Sequence, residues 1–265
     1  MRIVKLDPEP VDAVPYLSAA AGGGIEHVEL PIHSGKVEGL PARWDALIAT
    51  SDLQGTCKAG TKGYGEERLL GEELAEHLAL LLQLEFPNID PRRVLVLLCG
   101  DLYADPGVRG SSGDPLPVWR AFDDRFGGVA GVAGNHDLFS SGGLEELAEV
   151  LFFERPGIRE AVGVRVAGLG GIIGRTDRPN RMPEELFLRE LKRLLARKPD
   201  LLLLHQGPDE PTLGLRGHIG IREQLESASD TLVCCGHVHW EQPLAEIGQV
   251  QVLNADGRAF ILTQA

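Results

Sequence analysis

Short apolar runs, each stopping at a polar signature, are the strongest constraint this sequence places on its fold. Ala46 to Ser51 stops at Asp52-Leu53-Gln54-Gly55, Val94 to Cys99 at Gly100-Asp101, and Gly128 to Ala133 at Gly134-Asn135-His136-Asp137. Leu201 to Leu204 stops at His205-Gln206-Gly207-Pro208, and Thr231 to Cys235 at Gly236-His237-Val238-His239. Apolar runs without alternation suit strands buried on both faces, as in a sheet covered by helices.

Helical patterns separate these runs. Glu66 to Phe86 places Leu70, Leu74, Leu78, Leu81 and Leu82 at helical spacing and is closed by Pro87. Pro183 opens a helix reaching Arg197, with Leu186, Phe187, Leu191, Leu194 and Leu195 on one face. Shorter helices are expected around Trp119 and Phe122, from Gly143-Leu144, and over Ile221 to Leu225. Val162 to Ala167 and Leu169 to Ile173 read as a strand pair or one bent strand. Leu244 to Ile247, Val250 to Asn254 and Ala259 to Thr263 read as a meander of three strands. Residues 1–45, with Pro8, Pro10, Pro15 and Gly22-Gly23-Gly24, read as an N-terminal extension packed on a main domain of residues 46–265. Its one expected strand is His27 to His33. Strands alternating with helices and then followed by hairpins predict a mixed α/β system, in which ligands sit beyond the carboxyl ends of strands. All five signatures fall there.

Composition narrows the partners. At 265 residues the chain can bury one large core, and 43% hydrophobic with 25% charged residues is ordinary for a soluble protein. A formal charge of −13 argues against a broad basic face that grips nucleic acid. A small-molecule partner is expected over a nucleic acid. Cys57, Cys99, Cys234 and Cys235 show no CxxC pair and read as reduced thiols. Cys57, near the signatures, keeps a functional reading if it is exposed. No apolar stretch reaches signal-peptide or membrane-span length, so the expected location is cytoplasmic.

Together the signatures supply carboxylates, an amide and imidazoles in the proportions a two-metal hydrolytic site requires. Their order, D-x-Q, G-D, G-N-H-D, a lone H and G-H-x-H, resembles that of the calcineurin-like metallophosphoesterase superfamily, with Gln54 where that pattern has a histidine. The resemblance covers residues 52–239. It implies a four-layer α/β/β/α sandwich of two mixed sheets flanked by helices. It also implies a metal-dependent phosphoesterase in which a metal-bound water or hydroxide attacks phosphorus. Asp101 would bridge two divalent ions. Asp52 and His239, with Gln54 as ligand or as an outer neighbour, would complete the first site, and Asn135, His205 and His237 the second. His136 would assist the leaving group and Asp137 would orient His136. An amide oxygen favours harder ions, so Mn²⁺ is expected, with Fe, Zn or Mg as alternatives, and Gln54 leaves the first site weakened.

Each residue also has a plainer reading. His205 could be a satisfied strand-end histidine, Asp101 a helix cap and Asn135 a turn residue. Substrate contacts are sought in Arg175, Arg178 and Arg181, which could hold a phosphate, and in Arg216 and His218 on the loop after His205. A second functional class is a catalytically weak, metal-stabilised binding or regulatory module. Gln54 favours it and the intact His136-Asp137 pair opposes it.

Overall fold

A computed structural model of the chain describes residues 1–58, 67–140, 143–144, 147, 150–161 and 163–265. The N-terminal segment forms three strands where one was expected: β1 (Arg2–Leu6), β2 (Asp12–Ala19) and β3 (Ile25–Glu38). Antiparallel β2 pairs with residues 25–32 of β3 and antiparallel β1 with residues 35–38. Pro15 and Pro31 sit within the β2–β3 ladder. Proline cannot donate to a ladder, and Pro15 argued against reading β2 as a strand, whereas Pro31 lies in the one strand that was expected.

The chain continues through β4 (Ala46–Ser51), β5 (Thr56–Lys58), β6 (Glu67–Leu69), α1 (Leu70–Glu85), β7 (Val94–Leu98), α2 (Leu116–Asp123), β8 (Gly128–Gly131) and β9 (Val150–Phe152). The helix expected from Glu66 therefore begins at Leu70. Residues 67–69 instead pair with β5, Glu72 accepts from the Leu69 N–H at the helix start, and Glu66 lies outside the described residues. Of the helix expected from Gly143-Leu144, residues 141–142, 145–146 and 148–149 lie outside the described residues.

Next come β10 (Gly157–Ala161), β11 (Val164–Leu169), β12 (Ile172–Ile173), β13 (Arg181–Met182), α3 (Glu184–Leu195), β14 (Leu201–Gln206), α4 (Ile219–Glu226), β15 (Leu232–Gly236), β16 (Leu244–Ile247), β17 (Val250–Asn254) and β18 (Arg258–Gln264). Val162, the first residue of an expected strand, lies outside the described residues. His205 lies inside β14 and not just past its end.

Among the described residues the larger sheet runs β6-β5-β2-β3-β18-β4-β7-β8-β9, with β1 on β3, and the smaller runs β10-β11-β14-β15-β17-β16. The last three strands are not a meander. β16 and β17 close the smaller sheet, whereas β18 crosses to the larger one, parallel to β3 and antiparallel to β4.

Residue parity separates the layers, because successive side chains of a strand point to opposite faces. Ile48, Val96 and Leu98 pack with Leu70, Leu74 and Leu78 of α1 and with Trp119 and Phe122 of α2. Their neighbours Leu47, Ala49, Leu95 and Leu97 face the other way and meet Val166, Leu201, Leu203, Leu232 and Cys234 of the smaller sheet. The far side of that sheet, Leu202, Leu204, Val233 and Cys235, packs on Phe187, Leu191 and Leu194 of α3 and Ile221 and Leu225 of α4. The result is a mixed four-layer α/β/β/α sandwich. Gln251 bridges its sheets: Oε1 accepts from the Ile3 N–H at 2.7 Å and Nε2 donates to the Ile3 carbonyl at 3.1 Å.

Leu97 is fully buried between the two sheets. Leu97→Ala is expected to lower unfolding stability by about 2–5 kcal/mol, read by chemical denaturation. A loss below ~1 kcal/mol would show that the sheets close over the gap.

Candidate metal centre

Strands β4, β7 and β8 are parallel, so their carboxyl ends deliver Asp52, Asp101 and the Gly134–Asp137 turn to one edge of the larger sheet. Parallel β14 and β15 deliver His205 and His237 from the smaller sheet. Asp52, Asp101 and His237 adopt positive φ (56°, 54° and 71°). Non-glycine residues take this conformation only when their surroundings hold them there.

The surroundings are hydrogen bonds. Asp137 is buried, and its carboxylate accepts three backbone N–H groups: Asp101 and Gly134 on Oδ2 and Leu102 on Oδ1, each at 2.8 Å. It thus clips the turn after β7 to the turn after β8. Burial and the neighbouring Asp101 charge push its pKa up to about 6. Asn180, itself at φ 51°, adds a second clip by donating from Nδ2 to the carbonyls of Gly134 and Asp137. The approach leaves no room for side chains. A Cβ on Gly134 would stand 2.1 Å from Asp101 Oδ1, and one on Gly100 2.3 Å from the Gly134 nitrogen.

Inside this frame, Asp101, His205 and His237 place ligand atoms within 4.8 Å of one another. The His205 ring is oriented by its Nδ1, 2.8 Å from the Cys99 carbonyl, where it must carry a hydrogen. Its Nε2 lies 3.3 Å from Asp101 Oδ2 and makes no hydrogen bond. Asn135 Oδ1 is likewise buried without a partner. Two buried polar atoms without partners beside a buried carboxylate fit a cation that displaces the His205 proton, and the N/O donor set suits a divalent transition metal.

Protonation follows the same logic. Burial works against a charge on His205, but Asp101 and Asp52 outweigh it and hold its pKa up to about 10. His237 is pushed down to about 4 by burial and by His205, so it is a neutral donor. Burial raises Asp101 too, yet His205 wins and holds it below the ordinary carboxylate range. Burial pushes Asp52 well above that range; His205 opposes this and Asp256 and Asp101 add to it.

The remaining expected residues are placed unevenly. Asp52 Oδ2 accepts from the Ser51 hydroxyl at 2.7 Å and the His237 N–H at 2.8 Å. His136 donates its N–H to Asp101 Oδ1 at 2.8 Å, and its Nδ1 lies 3.0 Å from Ser112 Oγ. Asp137 therefore does not orient His136, because its oxygens are taken by backbone. Ser112 makes that contact. Gln54 lines a cleft of about 290 Å³ with Asp52, Tyr16, Glu26, Arg109 and Asp256. His239 is exposed and lies outside the cluster; its Nε2 is 2.6 Å from Arg258 Nη2.

Arg175 and Arg178 are exposed, and Arg175 is paired with Asp177. Half-buried Arg181 has a buried Nε without a partner and its charge is felt at His237. Arg216 is exposed, with its carbonyl bound by Trp240 Nε1, and His218 Nε2 lies 3.8 Å from Glu184. Neither has a contact with the cluster among the described residues. Cys57 is buried, and burial pushes its thiol up to about 11, which removes its functional reading. A larger cavity of about 640 Å³ near Trp44, Asp45 and Arg93 lies at the opposite strand ends and shares none of these residues.

The family model for calcineurin-like phosphoesterases matches residues 47–241. The chain belongs to this family. Its fold is similar to that of TT1561 of Thermus thermophilus at 17% identity, with 81% of this chain and 90% of that chain covered and a TM-score of 0.57. It is also similar to a hypothetical protein from Thermus thermophilus, at 18% identity over 80% of this chain and 76% of that one, with a TM-score of 0.45. No curated protein matches the sequence. Sequence reasoning passed over Ser112, Asn180, Asp256 and Arg258 of this calcineurin-like phosphoesterase, since none belongs to a motif.

Two expectations follow. Asp137→Asn turns a donor group towards backbone N–H groups and is expected to cost about 2–3 kcal/mol, with a matching loss of metal affinity. An equally stable variant with unchanged affinity would mean the carboxylate clip is dispensable. For pH, the folded pKa of His205 near 10 lies above its ordinary value, so a bound ion must displace its proton across the neutral range. Apparent Mn²⁺ affinity should therefore rise with pH by about tenfold per unit for each proton displaced, with proton release visible by calorimetry in buffers of different ionisation enthalpy. Affinity that stays flat with pH would remove His205 from the ligand set.

Proposed function

We propose that this chain hydrolyses a phosphate ester with the help of divalent cation chemistry centred on Asp101. The observation that carries the reading is a pair of buried polar atoms without hydrogen-bond partners, His205 Nε2 and Asn135 Oδ1, beside Asp101. Asp101, Asn135, His205 and His237 would hold the ion, with Mn²⁺ preferred for a set rich in oxygen and imidazole. When bound, the ion would supply positive charge for the phosphoryl oxygens and make water a better nucleophile. Of the two ions implied by the order of motifs, the second has the firmer support: His239, a residue of the first, lies outside the cluster with both ring nitrogens near Arg258 Nη2.

The chain's own groups divide the remaining tasks. The Cys99 carbonyl fixes the His205 tautomer, and the Asp137 clip holds Asp101 in its positive-φ conformation. In the imidazolium form His136 Nδ1–H donates to the Ser112 oxygen, and the Nε2 proton is the one handed to a departing alkoxide, leaving a neutral ring. Arg181, half-buried and with a free Nε donor, is better placed than Arg175 or Arg178 to hold a phosphoryl oxygen. The cleft of about 290 Å³ beside Asp52 would take the leaving group, and residues 1–45 form part of its wall through Tyr16, Ser18 and Glu26. Its size and the net charge of −13 favour a small phosphorylated or nucleotide-like substrate over a nucleic acid. A cytoplasmic setting accords with the four free, buried cysteines. Among the described residues no helix is long and apolar enough to cross a membrane.

One observation favours a second reading, a catalytically weak metal-binding module: Gln54 stands in place of an imidazole and His239 lies outside the cluster. Metal-stripped protein reloaded with Mn²⁺, Mg²⁺, Zn²⁺ or Fe²⁺ and assayed on monoester and diester probes separates the two. Ion-dependent turnover is expected, with His136→Ala lowering kcat by about 10²–10⁴ and leaving metal content unchanged. If no ion restores cleavage of either probe, and His136→Ala matches the wild type, the module reading replaces the enzyme.

A further inference from the structure

We infer that Tyr16 and Tyr103 are specificity residues of the cleft beside Asp52, and that they select phosphate esters whose leaving alcohol carries a flat, uncharged aromatic ring, a nucleoside among them. The inference rests on the proposed phosphoesterase function and concerns only which esters that site accepts.

The two tyrosines come from distant parts of the chain and line the same cleft of about 290 Å³, together with Asp52 and Gln54. Tyr16 lies on β2, in the hairpin formed with β3, outside the residues 47–241 that the family model matches. Three contacts seat this hairpin on the first signature and the strand after it. Leu17 pairs with Thr56 of β5, Ser18 Oγ donates to the Gln54 carbonyl at 3.4 Å, and the Tyr16 ring abuts Gly55. A Cβ on Gly55 would stand 2.1 Å from Tyr16 Cδ2 and 2.6 Å from Cε2, so only glycine admits that edge of the ring.

Tyr103, on the loop after β7, is held in a similar way. A Cβ on Gly113 would stand 2.4 Å from Tyr103 Cζ and 2.6 Å from both Cε atoms, which puts Gly113 over one face of the ring. Gly113 is itself tied to the turn that carries His136: its N–H donates to the His136 carbonyl at 3.1 Å, and its carbonyl accepts from the Leu138 N–H at 2.7 Å. Both tyrosines are half-buried, and among the described residues no aromatic ring stacks on either. Rings fixed at their backs and open to a cleft gain from stacking a planar group and gain less from an aliphatic one. The cleft also reaches the chemistry, because a Cβ on Gly110 in its lining would stand 3.6 Å from His136 Cε1. Glu26, Asp105 and Asp256 share the lining with a single guanidinium, Arg109, so a ring with negative charge of its own is disfavoured.

The test compares two esters that share the ribosyl alkoxide and differ in the base, adenosine 5′-monophosphate and ribose 5-phosphate, on protein reloaded with Mn²⁺. The wild type is expected to favour the nucleotide by about tenfold or more in kcat/KM, mostly through KM. Tyr103→Ala and Tyr16→Ala should each lower kcat/KM for the nucleotide about tenfold more than for ribose 5-phosphate, and Tyr16→Phe should keep the preference. Thermal unfolding checks that each variant is folded, and if Tyr16→Ala is not, Tyr103→Ala decides. Adenosine titrated into metal-free protein by calorimetry is a second readout: it should bind the wild type and Tyr16→Phe, and Tyr103→Ala about tenfold more weakly. Equal kcat/KM for the two esters in the wild type, or folded alanine variants that slow both by the same factor, would overturn the inference and leave the phosphoesterase reading intact. Adenosine binding as expected, with neither ester cleaved under any ion, would uphold the ring site and remove the phosphoesterase reading. Neither binding nor cleavage would sink both.

Discussion

The buried carboxylate of Asp137 is the contact on which the rest of the centre depends. A charged acceptor buried without donors would be costly, and here three backbone N–H groups from two turns converge on it. The two turns end β7 and β8, and their separation is fixed by the sheet ladder behind them. Tying them together forces Asp101 into a positive-φ conformation and brings its carboxylate under the His136 N–H. Asp101 is thus aimed at His205 by backbone geometry before any ligand arrives, which is how a fold stores preorganisation.

The sandwich supplies the other half. Because parallel strands in each sheet carry one side-chain parity towards the opposing sheet, the apolar packing that binds the layers also sets the distance between their carboxyl edges. Asp101 comes from one sheet and His205 and His237 from the other, and their ligand atoms meet within 4.8 Å. Loss of inter-sheet packing would therefore be felt at the centre as lost convergence of ligands and not only as lost stability.

The buried strands were legible because each is a short continuous apolar run with a polar stop, whereas the layer order came only with the family resemblance. What escaped had weaker local signals. The β2–β3 hairpin contains Pro15 and Pro31, and β18 looks like the third strand of a meander, although its partners β3 and β4 lie far away in sequence. Asp101, His205 and His237, each from a different signature, have ligand atoms within 4.8 Å of one another. Asp137 was legible as a residue but not as a role, because sequence adjacency to His136 suggested a side-chain contact where the fold provides backbone ones. Ser112, Asn180 and Arg258 act across long separations, and no periodicity or spacing marks such partners.

Charge balance explains why those distant partners matter. Asp52, Asp101, Asp137 and Asp256 are carboxylates at or beside one centre, and each must be neutralised, hydrogen-bonded or protonated. Asp137 is satisfied by backbone. Asp101 is paired with His205, whose proton stands in the place an exchangeable cation would take. Asp256 lies beside Arg258 and His239, on the side where Gln54 offers no imidazole. Asp52 touches both halves, through the His237 N–H on one side and through Ser51, the register partner of Arg258, on the other. Positive charge on one half therefore bears on the carboxylates of the other.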